Sequence, residues 1–175
     1  GKEVAEKCAA LLEEGTFNWF KYQELRLVLS MHTKNYQQAY EAFCQTVTHS
    51  RFKYLPESVV ESWKIFEAYV HYLIKVKRIV PDEDDGRFNN FRLGRFLNET
   101  PIYSKDKRGM NIPILVIQIL FMILHRKYAD AIDRIEAIEK YCTRYLRKND
   151  TFRSSCFIKM LLLIPASGFH NAGLK

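Results

Sequence analysis

One stretch of this chain limits what the rest can be. Residues Asn111 to Leu124 read NIPILVIQILFMIL, apolar on nearly every side. Their Ile and Val content allows a strand, but Asn111 as a cap and Pro113 in the first turn favour a helix. A helix without a polar face has to be covered all round. A bilayer is not that cover: the stretch rises only about 20 Å, against a hydrocarbon core of about 30 Å. Protein must therefore surround it, and it is expected at the centre of a fold.

The surrounding sequence reads as more helix. Only seven Gly and five Pro occur in 175 residues, so long uninterrupted elements are expected and an all-β sandwich, which needs many turns, is not. With 47% apolar and 14% aromatic residues, the chain is unlike a disordered one. The spacing predicts a helix from Glu3 to Glu14 with Val4, Cys8, Leu11 and Leu12 on one stripe, stopped at Gly15. A second, capped by Asn18, runs through about Met31 with Tyr22, Leu25, Val28 or Leu29, and His32 on its stripe. A third starts near Asn35, with Tyr36, Ala39, Tyr40, Phe43 and Val47 on one face. A fourth, from Glu57 to about Arg78, follows Pro56 and carries Val59, Val60, Trp63, Phe66, Val70, Leu73 and Ile74. After the apolar helix, Tyr128 to Arg147 carries Tyr128, Ala131, Ile132, Ile135, Ile138, Cys142 and Tyr145, and a last helix from Thr151 to Leu163 is closed by Pro165.

The expectation is an all-α fold of at least six helices: antiparallel hairpins forming an α-solenoid or an irregular bundle. One helical domain over residues 1–164 and a mobile tail over 165–175 are expected, with 81–110 left irregular except for a short helix in FRLGRFLNE. The chain opens Gly1-Lys2-Glu3 without Met, and we expect a piece of a longer protein.

Candidate chemistry is sparse. Cys8, Cys44, Cys142 and Cys156 form no C-x-x-C and have no His at zinc-finger spacing. They read as small buried hydrophobes in a reducing, cytoplasmic setting. In PDEDDGRFNNFR, taking Gly86 as the turn glycine of a calcium loop puts Pro81 and Arg92 at the first and last ligand positions, and neither can ligate. No G-x-S-x-G, H-E-x-x-H or P-loop occurs. His32 and His125 have no nearby nucleophile or carboxylate motif and suit helix C-termini. The reading is a non-catalytic chain with no metal and no cofactor.

One junction is spelled twice. Leu29 to Tyr40 reads LSMHTKNYQQAY; Met122 to Ile132 reads MILHRKYADAI. Each has an apolar residue, a His, a short basic turn, a Tyr, two variable residues, an Ala and a large residue. Two antiparallel helices need a short turn, a ring that packs back onto the first helix, and a small residue one turn on where the backbones approach. Tyr36 and Ala39, then Tyr128 and Ala131, take those places. In this the sequence resembles the tetratricopeptide-repeat family, with Tyr22, Leu25, Tyr36, Ala39 and Phe43 at the family's positions in one unit and Tyr128, Ala131 and Ile135 in the other. Arg26 and Ile119 depart from its small first-helix residue, and the closing Pro is missing from both units. The resemblance implies a solenoid-like scaffold whose concave face binds a segment or helix of another protein.

Net charge is +7, which favours acidic partners. Arg87, Arg92, Arg95, Lys105, Lys107 and Arg108 stand among Phe88, Phe91, Phe96 and Tyr103, and a second basic stripe holds Lys140, Arg144, Arg147 and Lys148. These ten residues are the candidate partner-binding set, for an acidic protein segment. The alternatives are stacking and phosphate contact with RNA or DNA, or a regulatory part of a larger protein.

Overall fold

The computed structural model describes residues 7, 9–82, 92, 94–96, 111–145 and 152–169. Among the described residues there are six α-helices, one short 3-10 turn and no strand, the all-α class expected. The chain divides into two compact units, Gly1–Pro101 and Ile102–Lys175.

The first unit holds α1 (Phe17–His32), α2 (Tyr36–Val47), the 3-10 turn Phe52–Tyr54 and α3 (Glu57–Lys75). Thr16, not Asn18, caps α1: its hydroxyl accepts from the Trp19 N–H at 3.3 Å, which satisfies one of the free amides of the first turn. α1 packs on α2 and α2 on α3. The cluster between them joins Leu27 of α1, Ala39, Tyr40, Ala42 and Phe43 of α2, Trp63 and Val70 of α3, and Ile79 beyond it. Ala39 and Ala42 add no bulk at the middle of α2, so large side chains from both neighbours reach it. Trp63 meets Phe43, Phe52 and Phe66 with ring centroids 6.1, 6.4 and 5.4 Å away, tilted or edge-on as ring quadrupoles prefer.

The buried face of α1 differs from its apolar stripe. Leu25 is 51% exposed, while Trp19, Phe20, Gln23, Leu27 and Ser30 are buried. Apolar periodicity points elsewhere because two buried positions are polar, and each finds its partner across the hairpin, as described below. α3 ends at Lys75 rather than Arg78 because Lys77 adopts a left-handed backbone (φ 58°) that no helix continues through.

The second unit holds α4 (Asn111–Leu124), α5 (Tyr128–Tyr145) and α6 (Phe152–Ala166), with α4 on α5 and α5 on α6. Ile114, Val116, Ile117, Gln118, Ile119 and Phe121 are all buried; at 100° per residue these positions go right round α4, as an all-apolar helix requires. α5 buries Ala131, Ile135 and Ile138 and leaves Asp130, Asp133, Arg134, Glu136 and Lys140 exposed. The expected stop at Pro165 is corrected: α6 runs through it to Ala166. Pro lacks only the one amide that would reach back a turn, and so near the C-terminus that loss is confined to the last turn. The helix is closed instead by left-handed Gly168 (φ 61°), and the Phe169 ring beyond it stacks on Tyr128 at 4.5 Å. The helix expected over Glu3–Glu14 is corrected at its end: residues 7 and 9 are helical, but 10–14 are non-helical, mostly turn and bend, so the helix stops before the turn at Gly15 is reached. Of FRLGRFLNE, residues 94–96 are helical, and the rest of both stretches apart from residue 92, like residues 170–175, lies outside the described residues.

Candidate functional site

The two spelled junctions are built alike. Each is a three-residue turn, 33–35 and 125–127, with its middle residue left-handed: Lys34 at φ 60° and Arg126 at φ 59°. The Asn35 and Lys34 amides donate to the carbonyls of Ser30 (2.8 Å) and Met31 (3.2 Å). The Lys127 and Arg126 amides donate likewise to Met122 (2.8 Å) and Ile123 (3.0 Å). This pair of bonds closes a helix on a left-handed residue, a position where Gly is usual. Here the chain spends a long cation instead, placed at the negative end of a helix dipole. The same closure recurs at Lys77, where Arg78 donates to Leu73 (2.8 Å) and Lys77 to Ile74 (2.9 Å).

Superposing the turns on their left-handed residues pairs Tyr36 with Tyr128 and Ala39 with Ala131, and both alanines are 0% exposed. It does not pair the histidines: His32 is the last residue of α1, whereas His125 lies one residue past α4. The shared His is a near-coincidence of spelling; both side chains are exposed, and the His125 ring stacks on Phe121 at 6.4 Å.

One side of the α1–α2 hairpin is a polar ladder. Gln23 Nε2 donates to Gln45 Oε1 at 3.3 Å, and an Arg26 guanidinium N–H donates to the same oxygen at 2.9 Å. Arg26 also pairs with Glu41 at 3.6 Å. Ser30 Oγ donates to Gln38 Oε1 at 3.2 Å, which also accepts from Asn35 Nδ2 at 3.1 Å. Partner numbers fall along α2 as they rise along α1, so the helices are antiparallel.

At the other edge of α2 the chain beyond α3 returns as a non-helical segment, Ile79–Asp82. The Gln37 amide grips the Val80 backbone at two points: Oε1 accepts from its N–H at 3.2 Å and Nε2 donates to its carbonyl at 3.1 Å. The Tyr40 hydroxyl accepts from the Asp82 N–H at 3.3 Å. Ile79 is buried to 2% exposure and Val80 is 76% exposed. Sequence reasoning missed Gln37 and found Tyr40 only as a member of the apolar stripe of α2, not as a hydrogen-bonding residue. The signal available was the Ile-Val-Pro spelling, since the residue before a proline is biased to extended backbone.

His71, on α3, is 4% exposed. Desolvation, helped by the charge of Lys75 one turn on, holds its pKa down to about 4. Burial likewise pushes the Tyr69 and Tyr72 hydroxyls above their ordinary values. Among the described residues no three His, Cys, Asp or Glu side chains group as metal ligands would, and no helix is long and apolar enough to cross a membrane.

Of the candidate basic set, Arg92 and Arg95 are exposed in the first unit. Lys140, in the second, is exposed and paired at 3.8 Å with Glu136 one turn away on α5. Arg144 lies on α5, its side chain outside what is described, and Arg87, Lys105, Lys107, Arg108, Arg147 and Lys148 lie outside the described residues. No family model, curated protein or solved structure matches the chain.

Proposed function

We propose that this chain is a helical-hairpin protein–protein interaction module, a non-catalytic scaffold similar in kind to tetratricopeptide repeats, whose partner is an acidic segment of another protein. The observation that carries the reading is the turn built twice. One hairpin in each unit closes on a left-handed basic residue, starts its second helix with Tyr, and buries an Ala at 0% exposure one turn on. Reuse of a hairpin is how arrays extend a binding surface. Net charge of +7 supports an acidic partner, which associates faster through a positive field.

The test is surface-plasmon kinetics of the full chain against acidic, neutral and basic peptides at low and physiological salt. Acidic peptides are expected to associate fastest. Arg144→Glu with Arg147→Glu is expected to slow association while leaving the melting temperature nearly unchanged. Association untouched by those changes at low salt, or sub-micromolar binding of short RNA or DNA at physiological salt, would overturn the reading.

A further inference from the structure

The segment Ile79–Asp82 lies on α2 as a bound peptide would. One aliphatic side chain, Ile79, is buried in the core cluster. The next residue, Val80, is held by both its backbone groups while its side chain faces solvent. A third contact takes the Asp82 amide. None of the three hydrogen bonds joins backbone to backbone: each relies on a side chain of α2, so releasing the segment breaks no helix. Gln37 is itself exposed and bears no load in the packing of α2.

We propose that Ile79–Asp82 is a releasable ligand held in cis, and that the groove it fills on α2 takes an extended segment of a partner protein in trans. That partner segment would supply an aliphatic side chain at its first position and free backbone N–H groups at its second and fourth. Its second side chain would be unrestricted, because the groove reads main chain there. This use of main-chain bonds for affinity and one side-chain pocket for selectivity is the logic of extended-peptide recognition. The proposal rests on the interaction-module reading for its purpose only; the basic residues of that reading take no part in it.

The first experiment needs no partner. Native-state hydrogen exchange on the full chain compares the Val80 and Asp82 amides with the helical amides of Phe43 and Cys44. A releasable segment gives Val80 and Asp82 exchange at least about tenfold faster, and independent of low denaturant, because local opening exposes little surface. Gln37→Ala should speed Val80 exchange further with the helical circular dichroism unchanged. The second experiment adds the capped peptide Ile-Val-Pro-Asp in millimolar excess. A groove that accepts a peptide in trans captures the released state, so exchange at Val80 and Asp82 accelerates, while a Ser-Val-Pro-Asp peptide leaves it alone. If Val80 and Asp82 exchange only with the helical amides of α2, the segment is ordinary core and the proposal fails. If it opens locally but the first peptide changes nothing, the groove has no role in trans. Failure of the acidic-partner reading would leave both measurements unaffected.

Discussion

Acid should loosen the first unit through one side chain. His71 is buried on α3, and its pKa is held down to about 4 by desolvation and by Lys75. In the unfolded chain the imidazole returns to about 6.5. Between those values the unfolded state binds a proton that the folded state refuses, so stability is complete above the unfolded value and drains as pH falls toward the folded one. The full gap corresponds to about 3 kcal/mol, and going from about pH 7 to about pH 5 removes about 2 kcal/mol of it. That is a large share of the roughly 5–15 kcal/mol by which a domain is stable. Both tryptophans, Trp19 and Trp63, lie in the first unit, so guanidinium unfolding followed by tryptophan fluorescence reports that unit. The midpoint should drop between the two pH values in the natural chain and drop less in His71→Gln, which has no proton to gain. An equal drop in both would refute the reasoning, because carboxylates elsewhere would then carry the acid sensitivity.

Lys34→Gly and Arg126→Gly relieve side chains from left-handed backbone and should each stabilise by about 0.5–1 kcal/mol, the strain relieved exceeding glycine's entropy cost; thermal melts that move down would show the turns are not strained. Gly15→Ala should destabilise by about 1–3 kcal/mol, since Gly15 has φ 76° and a Cβ there would run into the His49 imidazole. Adding His49→Ala should recover part of the loss in the same denaturant melts, and no recovery would place the cost in the backbone alone. Ala131→Leu puts bulk at a fully buried α5 position and should cost about 1–3 kcal/mol through overpacking; a neutral melt would mean that the helices yield there.

The fold class was legible because the apolar run and the scarcity of Gly and Pro leave few alternatives to packed helices. The stripe of α2 was legible because its inner positions are apolar, with Ala39, Tyr40 and Phe43 all buried, and that of α5 only in part: Ala131, Ile135 and Ile138 are buried, but Tyr128 and Ile132, expected on the same stripe, are exposed. The face of α1 was not, because Gln23 and Ser30 are buried beside an exposed Leu25, and no hydrophobic period can see a hydrogen bond to another helix. Helix ends failed in the same way. Lys34, Lys77 and Arg126 are left-handed without the Gly that ordinarily announces it, and Pro165 is tolerated because it stands in the last turn of α6, one residue before its end. The grip of Gln37 on Val80 joins residues 43 positions apart, and nothing local in either stretch marks it. What sequence singled out instead, the basic set, was visible through charge alone, which says what a surface attracts but not where that surface is.

A chain that writes the same hairpin joint twice runs a risk while folding: helices with similar seams can choose the wrong mate. The rungs from Gln23 to Gln45 and from Ser30 to Gln38 act as a sorting key. Among the described side chains, α4 and α5, which build the other hairpin, offer at their buried positions only Ile, Val, Phe, Ala and a single Gln118. Were α1 to settle against either of them, or slide one turn along α2, buried amide and hydroxyl groups would be stranded at about 1–3 kcal/mol each. A purely greasy seam would accept such errors at little cost. The rungs add little net attraction to the correct pair, and their effect is to make the incorrect pairs expensive, so that each hairpin closes on its own sequence.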